Sequence, residues 1–427
     1  MMKNDLLRLL RDPNLIPSEK QNLLSDIADQ AASLGMPCYI VGGFVRDLLL
    51  GKPINDLDII VEGDAIKLGE ALVKKYSGKL TSHHKFHTAI WHVPSTFDPS
   101  TGSGQRLRPS TLDLITARKE TYSQPGALPT VTPSTIEDDL RRRDFTINAM
   151  AIRIDGDHFG ELLNPLNGQD DLQNGIVRVL HPRSFVDDPT RIFRAIRYEQ
   201  RYVFNLQPAT CNLINPESLS VLQALSSERI RHELDLIFEE ENSARMLARL
   251  SELGIFNVFN PSLPNFNGKY SALLDSIPPA EFSISVDRVL LGYLLWLLDS
   301  PAEVVKALSK RLDFSSELSS ASLAGVQLKN ELISLKDSKP SAWTMRLEKI
   351  PLAAIYALWL ITNEPALKEF LVKWRRVKTN ITGDDLKARG LLPGPRYKEI
   401  LTHLRAAWLD GKIKNDKEEE ELLNTLL

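Results

Sequence analysis

Residues 41–62 read VGGFVRDLLLGKPINDLDIIVE, a glycine turn followed by two carboxylates one residue apart. In an extended segment successive side chains alternate faces, so Asp56 and Asp58 are expected to point the same way. Two carboxylates on one face are hard oxygen ligands suited to Mg²⁺, which keeps several waters and completes its octahedron with substrate phosphates. Gly42 and Gly43 follow the apolar run Tyr39 to Val41. They allow a tight strand-to-helix turn whose bare backbone can approach a triphosphate, with helix N–H groups facing it. Arg46 is then expected one turn into that helix, as a nucleotide-binding residue near the triphosphate.

The same order of features is extended by a second block, RRRDFTINAMAI at 141–152, preceded by the acidic IEDDL. Together the Gly-Gly turn, Arg-Asp, Leu-Leu-x-Gly, Asp-x-Asp and RRDFTINA resemble the polymerase-β-like nucleotidyltransferases. In detail they resemble the bacterial class II tRNA nucleotidyltransferase (CCA-adding enzyme) and poly(A) polymerase family. The resemblance implies an α/β nucleotidyltransferase head followed by an all-α neck, body and tail. It places metal binding at Asp56 and Asp58. Asp113, in TLDLITAR, is a candidate third catalytic carboxylate on a neighbouring strand. Arg142 and Arg143 would supply fixed charge to the triphosphate or sugar through their planar donor forks, with Asp144 and Asn148 holding the arginines and the ribose.

Length and composition fit this reading. The chain has 427 residues, 43% hydrophobic and 25% charged, more than one hydrophobic core usually serves. No run approaches 18 apolar residues and no cleavable signal pattern opens the chain, so a cytoplasmic protein without a membrane span is expected. Cys38 and Cys211 are too few for a disulfide framework or a zinc site, and His83, His84 and His87 in SHHKFHT lack partner cysteines. A net charge of −3 argues against non-specific coating of nucleic acid and leaves RNA binding to local patches.

Along the chain, 1–35 reads as an amphipathic helical lead and 36–118 as short β-rich runs. The Gly-, Ser- and Pro-containing segment 94–111 reads as a hairpin loop between two of them. Residues 119–135 show no helical period and correspond, by resemblance, to a flexible loop associated with addition of the terminal A. In LNPLNGQDDLQNGIVRVLHP, Asp171 and Leu172 are expected in a sharp turn, with 176–179 returning as a strand. Helical periods dominate from about Arg183 onward. The division expected is 1–182 catalytic head, 183–240 nucleotide-reading neck, 241–345 body and 346–427 tail, the last two binding RNA.

In FVDDPTRIFRAIRYEQRYVF, Pro189 is expected at a helix start with Asp187 or Asp188 as cap. Asp188, Arg191, Arg194 and Arg197 then recur every three residues, and neighbours in that series share a face. Cytosine and adenine both present an amino donor beside a ring-nitrogen acceptor, an edge that an Asp acceptor and an Arg donor complement. By resemblance Asp188 and Arg191 are the nucleotide-reading pair, with Arg194 and Arg197 on phosphate or bracing that pair. SSERIRHEL at 226–234 reads as a capped structural helix. Lys373, Arg375, Arg376 and Lys378, with Trp374 among them, form a basic patch suited either to an RNA backbone or to a solvated helix face. The acidic run 418–421 is expected to be a solvated helix face.

The activity implied is template-independent addition of CMP and AMP to the tRNA 3′ end from CTP and ATP. A-only, CC-only and poly(A) addition are the alternatives within the family, and a non-catalytic RNA-binding protein is the remote one. No protein partner is inferable.

Overall fold

The computed structural model describes residues 3–54, 57–94, 111–263, 266 and 269–427. Asp56, and the interior of the loop expected at 94–111, lie outside the described residues. The chain forms two compact units, Met1–Leu225 and Ser226–Leu427.

The first unit opens with α1 (Lys3–Leu10) and α2 (Ser18–Ser33), the expected helical lead. Then come β1 (Cys38–Val41), α3 (Gly43–Leu49), β2 (Asp58–Val61), α4 (Ala65–Tyr76), β3 (Lys79–His83), β4 (Thr88–His92) and β5 (Thr111–Thr116). Next are β6 (Arg118–Thr121), β7 (Thr130–Pro133), α5 (Ile136–Arg141), β8 (Ala151–Arg153), β9 (Glu161–Leu163), α6 (Gly168–Gln173) and β10 (Ile176–Val177). The unit closes with α7 (Ser184–Asp187), α8 (Arg191–Tyr202), β11 (Asn205–Leu206), α9 (Pro208–Cys211) and α10 (Pro216–Ala224).

Seven strands make one mixed sheet in the order β3-β4-β5-β2-β1-β8-β9, in which β2 and β5 run parallel and the other neighbours antiparallel. β1 is an inner strand and reads CYIV, all four side chains buried, as a strand covered on both faces must be. β4 and β5 alternate buried and more exposed positions.

Two expectations are corrected here. Residues 119–135 contain an antiparallel hairpin, β6 paired with β7, and Asp171 and Leu172 lie in α6 rather than in a sharp turn. The hairpin escapes sequence reading because its strands, RKET and TVTP, bury no residue fully and carry no apolar alternation.

The second unit is helical: α11 (Ser227–Glu239), α12 (Ser243–Glu252), α13 (Ile255–Phe259), α14 (Arg288–Leu297), α15 (Ala302–Arg311) and α16 (Ser316–Leu335). It continues as α17 (Pro340–Leu347), α18 (Leu352–Thr362), α19 (Pro365–Val372), α20 (Gly383–Ala388), α21 (Pro395–Leu409) and α22 (Asp416–Leu426). α14 and α18 are almost wholly apolar and lie in a core with Trp343, Leu367 and Phe370, as helices hydrophobic on all sides must. Gly292 lets α14 press on α11, since a Cβ there would stand 2.2 Å from the Phe238 ring. Leu386, Ile400, Leu404 and Leu423 form a smaller core near the end of the chain.

The acidic run on α22 is not simply solvated. Glu419 is buried and accepts the Asn380 backbone N–H, and Glu418 accepts from Lys414 N and Asn415 Nδ2. Among the described residues no helix is long and apolar enough to cross a membrane.

Candidate active site

The sheet register gathers the candidate residues at one end. Asp58 is the first residue of β2 and pairs with Asp113 across the parallel β2–β5 ladder. Paired positions on neighbouring strands face the same side about 5 Å apart, so two carboxylates stand side by side. Asp58 is part-exposed and Asp113 exposed. β1 runs antiparallel to β2 with Ile40 opposite Ile59, so one further step sets the end of β1, and with it Gly42, beside Asp58. Among the described residues no group of three His, Cys, Asp or Glu side chains is close enough to hold a metal ion. The described donor set is therefore the Asp58–Asp113 pair, with Asp56 known from sequence alone.

Gly42 has φ +64 and ψ −122, backbone that side-chain-bearing residues rarely adopt. Its amide donates to the Met150 carbonyl at 3.1 Å, and a Cβ would stand 2.4 Å from Arg143 Nη1. The expected turn is present, and an arginine guanidinium lies against it.

Arg142 and Arg143 follow α5, and both are held by Asp139, which is fully buried. Asp139 Oδ1 accepts from Arg142 Nε at 3.0 Å and Nη2 at 2.7 Å, and Oδ2 from Arg143 Nη2 at 3.1 Å. Arg142 Nη1 also donates to Glu120 on β6 at 2.8 Å. Tyr122 donates to the same carboxylate at 3.0 Å, and its phenol is pushed up to about 12 by burial and then by the Glu120 charge. The hairpin loop is tied to the neighbouring segment by the Gly126 amide, which donates to the Asp187 carbonyl.

Asp144 and Asn148 form the buried layer beneath. Asp144 accepts from Asn148 Nδ2 at 3.0 Å, and from Arg194 Nε and Nη2 at 2.8 and 2.5 Å. Burial works to raise the Asp144 carboxyl, but Arg194, the Asn148 hydrogen bond and the more distant Arg191 charge outweigh it and hold it below the usual range. Asn148 Oδ1 accepts from Arg46 Nη1 at 2.6 Å. Arg46 is buried, donates to both oxygens of Asp47, and lies 4.8 Å from the Tyr202 ring centre and 5.2 Å from that of Tyr198. Tyr202 closes the circuit by donating to Asp47 at 3.0 Å. Arg46, expected near the triphosphate, thus has its guanidinium buried behind the turn. Its donors orient Asn148 and tie α3 to α8.

The start of α8 also differs from expectation. The helix begins at Arg191 with Thr190 as the preceding residue, not at Pro189. Asp188 nevertheless acts as the expected cap on the turn leading into α8, its Oδ1 accepting the Thr190 N–H at 3.1 Å and hydroxyl at 2.7 Å. Arg191 is buried, donating to Ser184 Oγ at 2.7 Å and to the Arg142 carbonyl at 3.0 Å. It therefore braces the arginine block, while Asp188, Arg194 and Arg197 remain part-exposed.

In the second unit, Arg375 donates to the Leu371 and Phe282 carbonyls, and Arg376 to the Glu281 carbonyl and Ser283 Oγ. These two members of the basic patch hold the 280–283 turn, whereas Lys373 and Lys378 are exposed.

Sequence reasoning missed Asp139, Glu120, Asp47, Tyr198 and Tyr202. Asp139 had a readable signal, since it precedes Arg142 and Arg143 by three and four residues.

Residues 38–178 match the poly A polymerase head domain, and 203–266 match the probable RNA and SrmB-binding site of polymerase A. The chain is 34% identical over 434 residues to the A-adding tRNA nucleotidyltransferase of Geobacter sulfurreducens, covering 95% of this chain and 47% of that protein. It therefore spans about half the length of that relative. It is 30% identical to the A-adding tRNA nucleotidyltransferase of Halalkalibacterium halodurans, covering 94% of this chain and 92% of that protein. Among solved structures, an apo CCA-adding enzyme superposes with a TM-score of 0.82 at 29% identity, covering 99% of this chain and 98% of that one. The Thermotoga maritima CCA-adding enzyme complexed with tRNA gives 0.76 at 29% identity, with coverage of 99% and 98%. With that identity extending over nearly the whole of both chains, this protein belongs to the tRNA nucleotidyltransferase and poly(A) polymerase family.

Proposed function

We propose that the protein is a template-independent nucleotidyltransferase acting on the tRNA 3′ end, with transfer of AMP from ATP as its core activity. The observation that carries this reading is the gathering of Asp58, Asp113, the Gly42 turn and Arg143 at one end of the sheet. Asp58 and Asp113, with Asp56 two residues upstream of Asp58, are the hard oxygen donors that suit Mg²⁺. When bound, such an ion acidifies an attacking hydroxyl and neutralises phosphate charge.

The chain's own side chains do the rest. The Gly42 turn brings bare backbone to the phosphates, and Arg142 and Arg143 offer guanidinium charge beside it. The bond from the tRNA 3′ oxygen to the α-phosphorus forms as the bond to pyrophosphate breaks, and in this reading Asp113 takes the hydroxyl proton. Asp188, ahead of α8, accepts the amino group of adenine or cytosine, while Arg191 fixes that segment against the Arg142 carbonyl. A mismatched polar edge costs roughly 1 to 3 kcal/mol, about ten- to a hundredfold in discrimination.

Terminal A addition is common to A-adding and CCA-adding enzymes. The A-adding relatives at 34% and 30% identity favour it as the main activity. Complete CCA addition, the expectation from sequence, is the second reading, favoured by the likeness to CCA-adding structures. The four-part division into head, neck, body and tail, with RNA held by the last two, and a cytoplasmic site of action belong to the same proposal.

The test is incubation with Mg²⁺ and tRNA transcripts ending at the discriminator base, at C and at CC, with labelled CTP, ATP or both. Labelling of only the CC-ended transcript by ATP supports A addition, and CCA on the first transcript supports the fuller activity. Long A tails, or no incorporation, would reject both.

A further inference from the structure

We propose that Asp139 is the positioning residue that fixes the Arg142–Arg143 pair for nucleotide binding, an inference that rests on the function proposed above. Three features of the geometry carry it. First, the carboxylate is fully buried on α5, so its charge is compensated by its immediate partners alone. Second, it divides its two oxygens: Oδ1 takes Arg142 Nε and Nη2 and also the Arg118 backbone N–H at 3.3 Å, while Oδ2 takes Arg143 Nη2 at 3.1 Å. Third, Arg143 has no other carboxylate among the described residues within ion-pair distance. Its Nη1 reaches only the Asn148 carbonyl, at 3.5 Å, and its Nε is buried without a hydrogen-bond partner.

Among the described residues Asp139 is therefore the one anion that sets where the Arg143 fork lies, and the fork lies against Gly42. Arg142 differs, because Glu120 provides it with a second anchor. A carboxylate holding two guanidiniums in one place prepares a triphosphate site before substrate arrives, so that no ordering cost falls on binding. The three clustered arginines also oppose one another. Burial and the neighbouring Arg142 charge depress Arg118, and the Glu120 and Asp139 charges work against them.

Asp139→Asn discriminates between the two halves of this arrangement. The amide oxygen can keep the Arg142 and Arg118 donors, and its NH₂ then faces Arg143 Nη2, donor against donor. Because the arginines bind phosphate in ground and transition states alike, the expected kinetic signature is a raised KM for ATP, about tenfold or more, with kcat within about threefold. A merely structural role would lower thermal stability without that split.

The decisive experiment is a cycle of wild type, Asp139→Asn, Arg143→Ala and the double variant, reading ATP affinity by calorimetry, KM and kcat on CC-ended tRNA, and melting temperature. The proposal expects the double variant to bind ATP no more weakly than Arg143→Ala. Multiplicative losses, or wild-type ATP affinity in Asp139→Asn, overturn it. Should Asp139→Asn fail to fold, Asp139→Glu, which keeps the charge but moves it by one methylene, is expected to raise KM likewise, and an unchanged KM overturns the proposal. The calorimetric arm separates the two claims. A wild type that binds ATP but does not extend tRNA defeats the proposed function, while coupled loss of ATP binding in the cycle still upholds Asp139. A wild type that binds no ATP overturns both.

Discussion

The two units use arginine for different ends. In the first, Arg46, Arg142, Arg143 and Arg194 face buried or half-buried carboxylates and an amide, forming a polar layer behind the Gly42 turn. In the second, Arg231, Arg375 and Arg376 donate to backbone carbonyls at helix ends and turns, Arg288 does so while also pairing with Asp275, and Arg346, Arg389 and Arg405 pair with surface glutamates. A carboxylate partner fixes the guanidinium as a fork of known direction, which suits a site that must place charge. A carbonyl partner staples a loop and satisfies an acceptor that the helix end leaves open. The difference separates guanidiniums held by buried charge from guanidiniums held by carbonyls and surface carboxylates, and each of the following tests presses on it.

The largest effect is expected at the carboxylate pair. Asp58→Asn should lower turnover about a thousandfold, the loss of several kcal/mol of charge stabilisation at about 1.4 kcal/mol per tenfold, with the melting temperature within a few degrees of wild type. Rapid-quench incorporation of labelled AMP together with thermal denaturation checks both halves.

Asp144→Asn tests the buried layer. Removing the Asp144 charge from part-exposed Arg194 should cost about 1 to 3 kcal/mol of stability near neutral pH. Because the folded Asp144 carboxyl sits below its ordinary value, its contribution is present above that value and is lost as pH falls through the folded one. The gap between wild type and variant, measured by urea denaturation, should therefore narrow below about pH 4, the ordinary carboxylate range. A gap independent of pH would remove the charge from the explanation.

A smaller change is expected at Asp188. Asp188→Ala should relax choice between A and the bases with the reversed edge by about ten- to a hundredfold, with less effect on total incorporation. Equal loss for all four nucleotides would leave Asp188 as a turn former for Thr190 and nothing more.

The smallest effects belong to the second unit. Arg375→Ala should cost about 1 to 2 kcal/mol of stability, as loss of hydrogen bonds from a part-exposed cation does, and leave the salt dependence of tRNA affinity unchanged. Lys373→Ala or Lys378→Ala, at exposed positions, should each reduce that salt slope by about one and leave stability unchanged.

The same contrast explains what the sequence could disclose. The central strands, the glycine turn and the RRDFTINA block are legible because apolar runs, a required positive φ and local charge spacing are written in neighbouring residues. Asp139 was within reach for that reason, three and four residues from its arginines. The partners of Arg46 and Arg194 were not. Asn148 is 102 residues from Arg46 and Asp144 is 50 from Arg194, and only the packing of α3, α8 and the segment before β8 brings them together. Nor does composition distinguish a cation destined for RNA from one destined for a carbonyl, as Arg375 and Arg376 show. The β6–β7 hairpin was hidden because neither strand has a buried face to impose alternation.

The measurement closest to the central claim is single-turnover reaction of wild type and Asp58→Asn with a CC-ended tRNA transcript and each of the four nucleoside triphosphates in turn, with AMP incorporation and pyrophosphate release counted together. The account expects one AMP and one pyrophosphate per tRNA from ATP in the wild type, little from GTP or UTP, and almost none from any nucleotide in the variant. Equal use of all four nucleotides, or undiminished transfer by Asp58→Asn, would contradict it.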